Sequence, residues 1–200
     1  MSEIKVYNKW SCDGITVSDP GLVRYINLEP RIVPRSSGRN IGQRFLKSKT
    51  FIVERFMNKI MIPSHKGKKQ FIQTSGSLTG KGNTAYTILM RVFDKIETRT
   101  KENPIKVLVK AIENAAPREE IITIEYGGAR YPKAVECAPQ RRVDIAMRVM
   151  TQGSYQKSFN TKKSIVDTLS EEIMNAYNAS GQSIAVSKKY ELERQADSSR

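Results

Sequence analysis

From position 51 onward, apolar residues recur at the spacing of helices with one buried face. Val53, Phe56, Met57 and Ile60 fall at i, i+3, i+4 and i+7, a single stripe of a short helix. Ala85, Ile88, Leu89, Val92, Phe93 and Ile96 form the cleanest such stripe, and Asn83 stands where an N-cap would open its helix. Asn103-Pro104 restarts the chain with proline at the first helical position. Ile105, Leu108, Val109, Ile112 and Ala116 then make the buried face, and Pro117 stops the helix. Ala138-Pro139 opens another helix with Val143, Ala146, Met147 and Met150 inward. A long helix over about 161–180 turns Ile165, Val166, Leu169, Ile173, Ala176 and Tyr177 inward, with Gly181 placed to end it. A weaker helical stretch covers about 186–196.

One segment breaks this rhythm. Two β-rich runs, 121–126 and 130–137, flank Gly127-Gly128, which predicts a hairpin at about 121–137. Alternation puts Ile122, Ile124 and Tyr126 on one face and Ile121, Thr123 and Glu125 on the other. Pro132 has no N–H for the ladder and marks an edge or an unpaired position. A lone two-stranded hairpin is marginal in water, so its base should rest on helices while the tip, with Arg130, Tyr131 and Lys133, projects. The expected architecture is mainly α: a bundle of five to six helices with one protruding β-hairpin and basic irregular extensions. Residues 1–46 read as an amino-terminal basic extension and 47–200 as the helical domain. There is no internal repeat.

Charge sharpens the picture. The 200 residues carry 34 Lys+Arg against 20 Asp+Glu, a net of +14, and 38% are hydrophobic. Residues 31–81 hold twelve of the basic residues and one acid, Glu54. A solvated face mixes signs, so a quarter of the chain with a single acid points to a polyanionic partner. Two parts of this stretch, 31–43 and 63–82, are rich in Gly, Ser and cations and bury little by themselves. No apolar run approaches the roughly 18 residues of a membrane span, and the first five residues form no apolar leader. Cys12 and Cys137 are too few for a disulfide framework or a zinc knuckle. A cytosolic anion-binding protein is the expectation, with no membrane partner.

Enzyme chemistry finds little footing. Gly76-Ser-Leu-Thr-Gly80-Lys81-Gly82 imitates a P-loop, but three residues rather than four separate its glycines, and Gly82 stands where the magnesium-binding hydroxyl belongs. His65, the only histidine, has no Cys or second His nearby and cannot alone build a metal site or a triad. Glu119-Glu120 and Glu171-Glu172 read as exposed charge. Neither a cofactor nor a metal is implied.

The cations suit nucleic acid better than lipid. A membrane-surface helix would set them opposite a bulky apolar face on one helix. Here they spread over loops, helix ends and a hairpin tip. Arg141, Asp144, Arg148 and Gln152 line the outer face of one helix with Arg142 beside it, and Lys188, Lys189 and Arg194 add a patch near the carboxyl terminus. Distributed cations fit a folded RNA, whose phosphates run in many directions, and no recognition helix for duplex DNA is evident.

Several motifs resemble one family, small-subunit ribosomal protein seven, over nearly the whole chain. Val53-Glu-Arg-Phe-Met-Asn-Lys-Ile-Met61 is similar to the family's first helix, and Thr100-Lys-Glu-Asn-Pro-Ile-Lys-Val-Leu108 to the opening of its third. Tyr126-Gly-Gly-Ala-Arg-Tyr131 with Pro139-Gln-Arg-Arg142 resembles the hairpin tip and the start of the next helix. Lys9-Trp10-Ser11, Pro34-Arg-Ser-Ser-Gly-Arg39, Tyr190-Glu-Leu-Glu-Arg194 and Ser198-Ser-Arg200 resemble the archaeal and eukaryal branch. The resemblance implies a cytoplasmic, non-enzymatic component of the small ribosomal subunit. It implies a primary binder of the 3′ major domain of the rRNA that nucleates assembly of the subunit head and touches neighbouring head and platform proteins. Its hairpin would lie at the subunit interface, near the decoding centre, the exit-site tRNA and the mRNA path. By matching position, Arg35, Arg39, Arg44, Lys81, Arg141 and Arg142 are the implied rRNA contacts, to which Lys47, Lys49, Arg148, Lys188 and Lys189 are added from the charge pattern. Gly127, Gly128, Arg130, Tyr131 and Lys133 are by the same resemblance the tip expected to face tRNA and mRNA. Residues 63–79 resemble an insertion, so Lys66, Lys68 and Lys69 inherit no contact. A free-standing RNA-binding regulator and a phosphate-handling enzyme built on Gly80-Lys81 are the alternatives.

Overall fold

Six helices of the chain bury their predicted stripes against one another in a computed structural model that describes residues 4–40, 42–62, 65–66, 69–70 and 78–200, with backbone alone for 65, 66, 69 and 70. They are α1 (Ile52–Ile60), α2 (Gly82–Thr100), α3 (Pro104–Ala115), α4 (Pro139–Ser158), α5 (Ile165–Tyr177) and α6 (Ile184–Asp197). A short pair, β1 (His65–Lys66) and β2 (Lys69–Gln70), follows α1, and the long hairpin of β3 (Glu119–Tyr126) and β4 (Ala129–Glu136) separates α3 from α4. Helix α5 packs against α2, α3, α4 and α6, so its apolar residues Leu169, Ile173 and Ala176 sit at the centre of the bundle. Of the P-loop imitation at 76–82 the first two residues lie outside the described residues, and so does most of the insertion at 63–79, with the side chains of His65, Lys66, Lys68 and Lys69.

Helix ends follow local chemistry, with two departures from expectation. Asn103 accepts from the N–H of Ile105 with Pro104 behind it, Ser164 accepts from Val166, and Ser183 accepts from Val186. The expected cap Asn83 instead lies inside α2. The chain turns at Gly80, where φ is +74°, and the helix starts at Gly82 without a side-chain cap. Nor does Gly181 end α5. That helix stops at Tyr177, where the Asn114 amide donates to the carbonyls of Ala176 and Tyr177 at 3.0 and 2.8 Å and Ala179 takes the left-handed conformation.

Three groups of residues are more deeply placed than their polarity or irregular spacing suggested. Val6, Tyr7, Trp10, Leu22 and Ile26, within the segment read as an extension, are buried in the helical core. Tyr7, Trp10 and Phe93 meet edge to face, and the Trp10 indole donates to Glu97 at 3.0 Å. Glu172, read as exposed charge, is fully buried. It accepts from the Ser183 hydroxyl (2.7 Å), the Ala185 N–H (3.1 Å) and the Lys157 ammonium (2.9 Å), fastening the start of α6 to α5 and α4. In α1, Glu54 and Arg55 are buried along with the apolar stripe, because the preceding chain, through Tyr25 and Ser36, covers the helix's polar side.

The hairpin forms in the expected register. Tyr126 pairs with Ala129 across Gly127 and Gly128, whose φ angles of +58° and +82° are those of a type I′ turn. Antiparallel pairs alternate outward from that closing pair, which leaves Pro132, opposite Thr123, at a non-hydrogen-bonded position where its missing N–H costs nothing. The base is pinned. Glu120 takes Arg141, Glu119 takes Arg200, and Glu193 of α6 accepts from the Arg118 N–H at 3.0 Å. Beyond it, residues 122–133 are exposed on both strands.

Candidate nucleic-acid interface

The basic segment 31–50 is laid down on α1 and α4 by two carboxylates. Glu54 of α1, the only acid in residues 31–81, accepts through Oε1 from the Ser36 N–H at 2.8 Å and from the Ser36 hydroxyl. Asp144 of α4 receives Lys47 through one oxygen and Arg55 through the other at 3.3 Å, while Arg55 also donates to the Tyr25 carbonyl at 2.7 Å. Burial alone would raise the Asp144 carboxyl, but Lys47, Arg55 and Lys59 outweigh it and hold that group below the ordinary carboxylate range. Lys59 is pushed down by its own burial, with Asp144 opposing and the cations Lys47, Arg148 and Arg55 adding to the shift. One largely buried carboxylate thus organises several cations, and the surface outside it stays positive.

Two concavities meet there and share Lys47 and Asp144. A cavity of about 560 Å³ lies between the 35–40 loop and α1, with Arg35, Glu54, Lys59 and Met61 among its walls. Glu54 Oε2 and Arg55 Nε, both buried, have no hydrogen-bond partner among the described residues. A shallower groove of about 420 Å³ runs between the segment and α4, lined by Arg44, Phe45, Gln140, Arg141, Ile145 and Arg148 among others. Phosphates, which need cations held in register, match such a surface.

The sequence-derived candidates divide into five groups. Arg35, Arg39, Arg44, Lys47, Lys49, Lys81 and Arg148 are exposed. Arg35 lies over Gly82, which brings it beside Lys81 although 46 positions separate the two. Arg141 is exposed but committed to Glu120 through a bidentate pair, with Nε and Nη2 each at 2.7 Å. Arg142 has a different task from its neighbour. Only 9% exposed, it donates to Asp19 at 2.7 Å and to the Pro117 carbonyl at 3.1 Å, tying the amino-terminal segment to the foot of the hairpin. Lys188 pairs with Glu191 at 2.7 Å, and Lys189 is half-buried and donates to the Asn114 carbonyl at 3.1 Å. Those two line neither basic concavity. At the tip, Gly127, Gly128, Arg130, Tyr131 and Lys133 are all exposed, with Arg130 3.9 Å from Glu125.

Sequence reading passed over Phe45 and Lys59. The signal for Phe45 was present: an aromatic residue inside the run Gln43-Arg-Phe-Leu-Lys47 has no helical stripe to join. It is 63% exposed, and the Arg44 guanidinium lies 5.4 Å from its ring centroid. Among the described residues no group of His, Cys, Asp and Glu is arranged to hold a metal ion, and no helix is long and apolar enough to cross a membrane.

Residues 22–200 match the family model described as ribosomal protein S7p/S5e. The chain is 52% identical over 198 residues to the small ribosomal subunit protein uS7 of Nanoarchaeum equitans, covering 99% of this chain and all of that one. It is 44% identical to the protein of the same name from Archaeoglobus fulgidus, over 99% of this chain and 96% of the relative. The Methanothrix thermoacetophila protein is also 44% identical, over 98% of this chain and its own full length. A match of this identity over essentially every residue, on a helical bundle with the expected hairpin, makes this chain a member of the ribosomal protein S7p/S5e family, on the archaeal side of it.

Proposed function

We propose that the chain is a structural, non-catalytic component of the small ribosomal subunit that binds rRNA through the face running from Arg35 and Lys81, past Arg39, Arg44 and Lys49, to Arg148. The observation that carries this is the disposition of acids. In the basic quarter of the chain the lone carboxylate, Glu54, is turned inward to hold the loop, and Asp144 is consumed by Lys47 and Arg55. The cations that remain exposed meet phosphate unopposed. Archaeal relatives carrying the name of a small-subunit protein support the assignment to that particle.

Within the subunit, the reading extends to the 3′ major domain as the rRNA element bound, to nucleation of the head, and to contacts with neighbouring head and platform proteins. The exposed tip, with Arg130, Tyr131 and Lys133, serves exit-site tRNA and mRNA near the decoding centre. A cation beside an aromatic face suits single-stranded or looped nucleic acid, and the tip shares no contact with the basic concavities. Sedimentation of cell lysate tests the assignment. The chain should travel with the small subunit, and a pool migrating free of it would favour the free-standing regulator instead.

A further inference from the structure

We propose that Phe45 is a stacking platform for one unpaired nucleobase of the bound RNA, with the flanking phosphates held by Arg44 and Arg148. This rests on the RNA-binding reading and adds to it the kind of nucleotide taken: one out of its stack, rather than backbone alone.

Three observations place a base there. The first is exposure. Phe51, Phe56 and Phe93 are fully buried and Phe159 packs against Tyr155, whereas Phe45 is the most exposed of the described phenylalanines and stands beside Arg44, Arg148 and the ion-paired Lys47 and Arg141. The second is backbone. Phe45 has φ +64° and ψ −2°, the left-handed conformation that a bulky residue rarely adopts, and it is held there. Its carbonyl accepts both the N–H of Ser48 at 3.1 Å and the Ser48 hydroxyl at 2.6 Å, and the turn Leu46–Lys49 is anchored through Lys47 to Asp144. Glycine or asparagine would fit that conformation without strain, so the aromatic ring is kept for something other than the fold. The third is the groove beside it. Ile145 and Ala138 give an apolar floor, Gln140 supplies an amide that can donate or accept, and the guanidinium groups surround the opening. A ring face, an apolar floor, one amide and several cations are complementary to an unstacked base with its phosphates, and not to the closed edge of a duplex. An acidic protein segment would use the cations but leave the ring in water.

The test uses the full chain and a transcript of the rRNA 3′ domain. Phe45→Leu should weaken binding roughly 5- to 100-fold, the range for losing one base–aromatic stack. It should leave the slope of log K against log salt unchanged, because no charge is removed. Phe45→Tyr should bind like the parent. Phe45→Gly should raise the melting temperature by relieving the backbone and still bind as weakly as Phe45→Leu. In Phe45→Trp the added indole is exposed while Trp10 is buried, so emission should be quenched by the transcript and not by poly-glutamate, a polyanion without bases. Full affinity in Phe45→Leu, or an indole that the bound transcript leaves unquenched, overturns the stacking role while RNA binding itself stands. Failure of the parent chain to bind the transcript overturns both readings, and quenching by poly-glutamate would assign the groove to an acidic protein.

Discussion

Changing Asp144 to Asn removes the one negative charge shared by Lys47, Arg55 and Lys59 while keeping the side chain's shape. The partners differ in what they lose. Lys47 is half exposed and recovers its hydration, so its share is under about 1 kcal/mol. Arg55 is 3% exposed and cannot. Leaving a buried charge without its counter-ion costs about 3–5 kcal/mol. The lower end applies here, because the Tyr25 carbonyl still accepts from Arg55 and the asparagine oxygen can still accept one bond. A loss of about 3 kcal/mol lowers the melting temperature of a chain this size by about 6–12 °C. Calorimetry or denaturant melts of parent and variant measure it, and Arg55→Met made in the Asp144→Asn background should cost less than the two changes separately. The pH dependence has a definite sign. Asp144 is held below the ordinary range in the folded chain, so its contribution is complete above the unfolded value of about 4 and fades as pH falls through the lower folded value. The gap between parent and variant should therefore close in acid. A melting temperature within about 2 °C of the parent at neutral pH would refute the reasoning, showing that Arg55 is solvated in a way its burial denies.

Other sites give separate tests. Glu172→Ala should cost about 2–4 kcal/mol by stranding Lys157, Ser183 and the Ala185 N–H, and hydrogen exchange should show the first turn of α6 opening early. Gly153→Val should destabilise by about 1–3 kcal/mol, since even a Cβ at Gly153 meets the Ile184 side chain at 2.9 Å; an unchanged melt would mean that α4 and α6 separate freely. Replacing residues 126–132 with a short Gly-Ser turn should leave both the melt and 3′-domain transcript binding nearly intact, because the exposed strands bury little. Subunits carrying it should assemble and then mishandle tRNA release or reading frame, and a collapse of rRNA binding would instead make the tip an assembly element.

What the sequence revealed divides along physical lines. Stripes at helical spacing identified the inward faces of α2, α3, α4 and α5, because one repeated burial decides many positions at once. Gly127-Gly128 announced the hairpin because only residues tolerating positive φ close so tight a turn. Single long-range contacts leave no such repeat. Trp10 against Phe93 and Glu172 under Ser183 each depend on one tertiary neighbour, and in sequence they read as an extension and solvated charge. The same applies to the ends of α5, where Asn114 from another helix supplies the cap that Gly181 was expected to make. Charge density in 31–81 marked a quarter of the chain whose cations Arg35, Arg39, Arg44, Lys47, Lys49 and Lys81 are exposed. It could not tell which arginines face water, since Arg55 and Arg142 are spaced no differently from Arg35 and Arg148.

Salt dependence of binding to the 3′-domain transcript tests the rRNA-binding face most directly. Each phosphate neutralised contributes a log–log slope of about −0.7 to −0.9, so the parent chain should show a steep line. Arg35→Glu, Arg39→Glu and Arg44→Glu together remove three exposed cations that make no ion pair among the described residues, and the slope should flatten by at least two units with the melting temperature little changed. The same slope in parent and triple variant would mean that this face does not touch phosphate, and would contradict the assignment.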